Sequence, residues 1–192
     1  MEEPKHLFAN SERKGSLAPP TAMRVLFVLS QPFFQWRGSP IRVRYNLEAL
    51  TELGYGVDLL TIPLGEDIEL PGVRIMRVAR LWPCRRIPVG PSCAKLVFDA
   101  LLLLAGLRLL RHNRYKVIHG VEDAGAVAAV IGAFSRTPVI FEKHSDPSSY
   151  RGGLLRNAVM RMYAGVERWT ARHSAAAIGT GEGLAAQLER MS

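Results

Sequence analysis

The chain has 192 residues, of which 48% are hydrophobic, enough for one sizeable core and too few for two full-size α/β domains. Its formal net charge is +8 with a sequence pI near 10.0, an arginine-rich balance that points to an anionic partner such as phosphate or an acidic surface. Two cysteines outside any CxxC spacing imply no disulfide framework and fit a reducing, cytoplasmic setting.

Residues 1–22 mix charges with Pro19–Pro20 and lack the apolar stretch of a signal peptide, so they read as a disordered tail ahead of a domain over 23–192. The run 24–30 (RVLFVLS) is apolar throughout and predicts a buried parallel strand. After a loop over 31–39, Ser39–Pro40 has the form of an N-cap with proline at the first helical position. Val43, Leu47 and Leu50 keep helical spacing up to Gly54. A second strand follows at 57–62 (VDLLTI) and a third, alternating, at 73–78 (VRIMRV).

A loop rich in Pro, Arg and Gly leads to Ser92, which can cap a long helix up to about Arg111. That helix is apolar nearly all round, yet Lys95, Asp99 and Arg108 make it a poor spanning segment. Its basic end suits an anionic lipid surface, which gives the chain one route to peripheral contact at the inner face of a membrane. The fourth strand is 116–119 (KVIH), Asp123 caps a small-residue helix over 124–134, and the fifth strand is 138–143 (PVIFEK). Residues 154–172 form an amphipathic helix with Leu155, Val159, Met162, Val166 and Trp169 as its stripe. A short sixth strand at 175–178 and a last helix complete the chain. The alternation implies a single Rossmann-like α/β domain, a parallel sheet of six or seven strands with helices on both faces. Ligands of such sheets bind beyond the carboxyl ends of the strands, so the loops after Ser30, His119, Lys143 and Ile178 are the ones of interest.

Four constellations lie at those loops. Gly38 and Ser39 start a helix, where free N–H groups attract anions, and Arg37, Arg42 and Arg44 cluster there although cations oppose the helix dipole. A bound phosphate accounts for both features; a basic, solvated turn is the plainer alternative. His119–Asp123 (HGVED) places an imidazole and two carboxylates after the fourth strand, with Glu122 and His119 suited to face a ligand and Asp123 to cap. Glu142–Asp146 (EKHSD) closes the fifth strand, where His144 leaves it into the same crevice, and no spacing here is diagnostic of a metal. GTGEG at 179–183 lacks the full GxGxxG spacing and reads as a tight turn. Helix-turn-helix, zinc-finger and RNP-like patterns are missing, so nucleic acid is not an expected partner.

The segments MRVLFVLSQPFFQWRGSPIRVRYNLEALTELGYGVDLLT, PGVRIMRV, KVIHGVEDAGAVAAVIGAFSRTPVIFEKHSD and VERWTARHSAAAIGTGEGLAAQLE, in this order, resemble the N-terminal domain of family-4 glycosyltransferases of the GT-B fold. The resemblance runs from about Met23 to the end. It implies an acceptor-side domain whose partner is a C-terminal donor-binding domain or chain carrying a Glu-x7-Glu motif, which these residues do not contain. The implied reaction moves a hexosyl group from a nucleotide sugar, as co-substrate and with no cofactor, to a hydroxyl of a sugar or lipid-linked acceptor. The chain by itself is expected to be inactive. A non-catalytic acceptor- or membrane-binding module that docks a separate catalytic chain is the rival expectation. In the matching, Gly38 and Ser39 stand where the family has a glycine loop that approaches donor phosphate, with Arg42 beside them. Glu122 matches an acidic position, His144 the histidine after strand five, and His119 an earlier strand-end histidine. The family's histidine after strand four falls on Val121. Expected catalytic residues are His144, Glu122 and His119.

Overall fold

The structure, a computed structural model, describes residues 23–80, 92–146 and 154–191. The tail predicted over 1–22 and most of the loop before Ser92 lie outside these residues. In chain order the elements are β1 (Arg24–Leu29), α1 (Gly38–Glu52), β2 (Gly56–Thr61), β3 (Val73–Arg77), α2 (Cys93–His112), β4 (Val117–Val121), α3 (Ala124–Ser135), β5 (Val139–Lys143), α4 (Leu154–Arg172), β6 (Ala176–Gly179) and α5 (Glu182–Glu189). The six strands are all parallel in the order β3-β2-β1-β4-β5-β6.

Successive strand residues face opposite sides, and β1 shows how the run of apolar side chains is shared. Leu26 and Val28 pack with Leu60, Ile118 and the inner faces of α2 and α3, including Phe98, Leu102, Ala128 and Ile131. Val25, Phe27 and Leu29 pack on the other side with Val57, Leu59, Val121 and the α1 residues Val43 and Leu47. Full burial of each such side chain contributes roughly 1.5–3 kcal/mol, so β1, covered on both faces, is the best-anchored element.

Several predicted details give way to tertiary packing. β4 runs two residues past His119, because Gly120 has no side chain to hold α3 away. A Cβ there would meet Ala128 Cβ at 2.6 Å and Gly125 Cα at 2.7 Å. Ser39 does not cap α1: the helix begins at Gly38 with Arg37 as N-cap and no side-chain cap. Ser92 does cap α2, accepting from Lys95 N at 3.3 Å. Asp123 has helical backbone angles and makes no cap; its carboxylate pairs with Lys95 instead. β3 does not alternate, since its three middle residues are all half-buried at the sheet edge. The stripe expected on α4 is not core: Met162 is 68% exposed, Val166 45% and Trp169 39%, while Thr170 and Ala171 turn inward. Leu155 lies outside the described side chains. None of the described helices is long and apolar enough to cross a membrane.

Candidate functional site

The carboxyl ends of β1, β4 and β5 meet the start of α1. The loop after β1 is held from below. Phe33 N and Phe34 N donate to Leu64 O and Glu66 O at 3.1 Å each, and Arg77 donates to Leu64 O at 2.7 Å and Glu66 O at 2.8 Å. Gly65, at φ +106, lies so close that a Cβ would meet the Phe33 carbonyl at 2.4 Å. This clamp between two loop segments sets where α1 starts. The first turn of α1 contains no acidic residue, and the space beside Gly38 is open, with nothing within 4 Å of a Cβ built there. Its first amides have no intrahelical acceptor.

The centre of the site is a residue of the EKHSD cluster to which the sequence alone assigned no role. Glu142, on β5, is fully buried and faces α1. Its Oε1 accepts from Arg42 Nε at 2.6 Å, and its Oε2 from Asn46 Nδ2 at 3.0 Å and lies 2.8 Å from His119 Nε2. His144 Nε2 stands 3.0 Å from Oε1, but neither ring nitrogen of His144 has hydrogen-bond geometry to any partner, and the ring is 6% exposed. Burial alone would raise the Glu142 pKa; the bond from His119, the close approach of the His144 ring and the bond from Arg42 outweigh it and hold the carboxyl well below the usual range. His119 is further fixed by stacking on Phe27, ring centres 4.2 Å apart.

Period-two alternation explains the grouping. Val121 pairs with Glu142 in the β4–β5 ladder, so His119, Val121 and Glu142 share the α1 face. Lys143 points the other way, 1% exposed, and donates to Glu167 Oε1 on α4 at 2.6 Å. Glu122 adopts a left-handed backbone conformation, φ 55, which non-glycine residues take mainly where surrounding contacts enforce it. The enforcing contacts are visible: its carboxylate accepts from His144 N at 2.5 Å and from Ser145 Oγ at 2.9 Å.

Glu122, His119 and His144 are thus within one contact network, and Arg42 reaches it from the first turns of α1. Gly38 and Ser39 stand at the helix start that Arg42 ties to Glu142. Arg44 pairs with Glu48 instead and stands outside the network. The role of Glu142 and the whole of Asn46 were missed, although two signals existed: a charged residue inside an apolar strand run, and an Arg–Asn pair at i,i+4 on one helix face. Among the described residues no group of His, Cys, Asp and Glu could hold a metal ion.

Residues 37–192 match the family described as glycosyl transferase 4-like domain. The chain belongs to that family. Its fold is similar to several solved structures. Sucrose-phosphate synthase from Thermosynechococcus elongatus superposes with a TM-score of 0.67 at 20% identity, covering 88% of this chain and 45% of that one. MurG from Acinetobacter baumannii gives 0.51 at 11% identity, covering 85% and 42%. UDP-GlcNAc 2-epimerase from Methanocaldococcus jannaschii gives 0.50 at 12%, covering 88% and 42%. This glycosyl transferase 4-like chain therefore spans less than half the length of each of these structures. No curated protein matches it significantly.

Proposed function

We propose that the chain supplies the acceptor-side wall of a glycosyltransferase that moves a hexosyl group from a nucleotide sugar to an acceptor hydroxyl. The supporting observation is His144: its buried Nε2 stands 3.0 Å from Glu142 Oε1 without hydrogen-bond geometry, its Nδ1 has no hydrogen-bond partner, and its backbone N–H is held by Glu122. A buried polar group left unpaired is costly unless a ligand completes it. An imidazole offers one donor and one acceptor, which suits a sugar hydroxyl. Glu142 acts as a positioning residue: it orients His119 and His144 and draws Arg42 across the start of α1. That keeps positive charge beside the open amides at Gly38 and Ser39, where a donor diphosphate would gain from both.

One wall can orient an acceptor but cannot enclose a nucleotide sugar, because positioning and stabilisation of the leaving diphosphate require both sides of a cleft. The test is capture of a partner chain, then nucleotide-sugar hydrolysis and transfer with and without it. The chain alone is expected to show little or no turnover, and robust transfer by it would refute the proposal. In the reconstituted enzyme, His144→Ala should lower kcat by about 10²–10⁴-fold. Unchanged kcat would remove His144 from the reaction and favour the rival reading, an acceptor-holding module.

A further inference from the structure

We propose that the groove between α2, α3 and α4 is a binding site for an uncharged apolar alcohol, and that this alcohol is the acceptor of the proposed transfer. The groove encloses about 490 Å³, within the range of small-molecule sites. Its walls are largely apolar: Leu96 from α2, Val127 from α3, Phe141 from β5, and Val159, Met162 and Val166 from α4. Leu96 is 70% exposed, Met162 68% and Val166 45%, so apolar surface stands in water on both sides of the groove.

The groove lies on the α2 side of the sheet, opposite the Glu142 cluster, and one residue joins the two. Glu122 borders the groove, and its carboxylate accepts from the His144 amide and the Ser145 hydroxyl. An occupant that touches Glu122 therefore stands at the strand ends that lead to His144.

Charge decides the class of occupant. On a chain of net charge +8, the described residues that border the groove include four carboxylates, Asp99, Glu122, Asp123 and Glu167, and one cation, Lys95. Asp123 pairs with Lys95, and Glu167 with Lys143 from β5. That leaves Asp99, whose Oδ1 is buried without a hydrogen-bond partner, as is Oγ of Ser30 beside it. An unpaired buried acceptor is costly, and a hydroxyl can donate to it. A phosphate or carboxylate on the occupant would set its charge against Glu122 and Asp99. A cation would meet Lys95, which already lies in the field of both. A second copy laid on the groove would bring a second set of the same acids. An uncharged molecule with an apolar body and a hydroxyl suits the walls and the acids together. The site is independent of the proposed transfer, on which only the alcohol's role as acceptor rests.

The test is equilibrium dialysis of the 192-residue chain at neutral pH with decanol, decyl phosphate and decylamine, which share an apolar chain and differ in charge. Decanol should bind about tenfold more tightly than either charged probe. M162D/V166D should weaken decanol binding roughly tenfold. Both side chains are exposed, so circular dichroism of this variant should match the parent. D99N keeps an acceptor oxygen, so it should retain decanol binding while narrowing the discrimination against decyl phosphate roughly tenfold. No binding of decanol, tighter binding of either charged probe, or an unaffected M162D/V166D variant would each overturn the site. So would a dimer of the chain in sedimentation that M162D/V166D dissociates. In an assembled enzyme that transfers to another acceptor, failure of decanol to compete would overturn its place as acceptor. An assembled enzyme inactive on every acceptor would count against the transfer itself and leave the site, read by dialysis, standing.

Discussion

Glu142, fully buried, and Asp99, half-buried, are two carboxyls with opposite electrostatics, and the difference is testable residue by residue. Glu142 has Arg42, Asn46 and His119 on its two oxygens, and its pKa is held down. Removing one member of such a group leaves the others uncompensated, so Glu142→Ala should destabilise by about 3–5 kcal/mol in urea unfolding. A carboxyl whose pKa is lower in the folded state contributes stability above its unfolded pKa, about 4.3. That contribution disappears as pH falls through the folded value, so parent and variant should converge on acidification. Asp99 is the reverse. Burial pushes it up to about 6, and the nearby Lys95 and Ser30 only partly offset this. In the folded chain it therefore binds its proton more tightly than in the unfolded one. The parent loses stability as pH rises from about 4 to about 6. Asp99→Asn should remove that loss, gaining about 1–2 kcal/mol at neutral pH and nothing below pH ~4. A variant that is equally destabilised at every pH would show that Asp99 is a packing residue instead.

At the scale of elements, close backbone approach sets the site. α3 rests on β4 at Gly120, and the Ala128 methyl group fills the space that a side chain would need. Gly120→Ala should therefore cost about 1–3 kcal/mol, read from the urea midpoint, despite being a change of one methyl group. Where α3 lies determines where β4 ends, and hence where Glu122 turns. Such facts also mark the limit of legibility. Apolar runs and breakers located all six strands to within two residues at each end, and Ser92 announced its helix by its own side-chain chemistry. His144 and Glu122 were legible because strand ends carry the ligand loops of parallel sheets. The Glu142 cluster was not, because Arg42 lies 100 residues and Asn46 96 residues away in the chain, and periodicity says nothing about which face meets which. The α4 stripe misled for the opposite reason: amphipathic spacing shows that a helix has an apolar face, not that this domain covers it.

For the whole molecule, the sheet is unevenly protected. β1 and β4 are interior strands with cores on both faces, whereas β6 is an edge strand with Ala176, Ala177 and Ile178 exposed. Among the described residues the cluster under that edge contains Phe141, Ala171 and Leu188, with Met191 packed against it. Free energies of local opening follow buried apolar contact, so the domain should not open as one unit. Amide hydrogen exchange followed by peptide mass spectrometry should show β1 and β4 exchanging only through global unfolding, and residues 176–191 roughly 100-fold faster. The mobile edge would carry the site with it in part: Thr180 N donates to Lys143 O at 3.1 Å, one residue before His144. Opening of β6 thus loosens the end of β5, and anything that covers β6 should slow exchange at both. Equal protection across β1, β4 and β6 would mean that the small cluster at the edge holds as firmly as the central core, and that the loop carrying His144 is rigid without help.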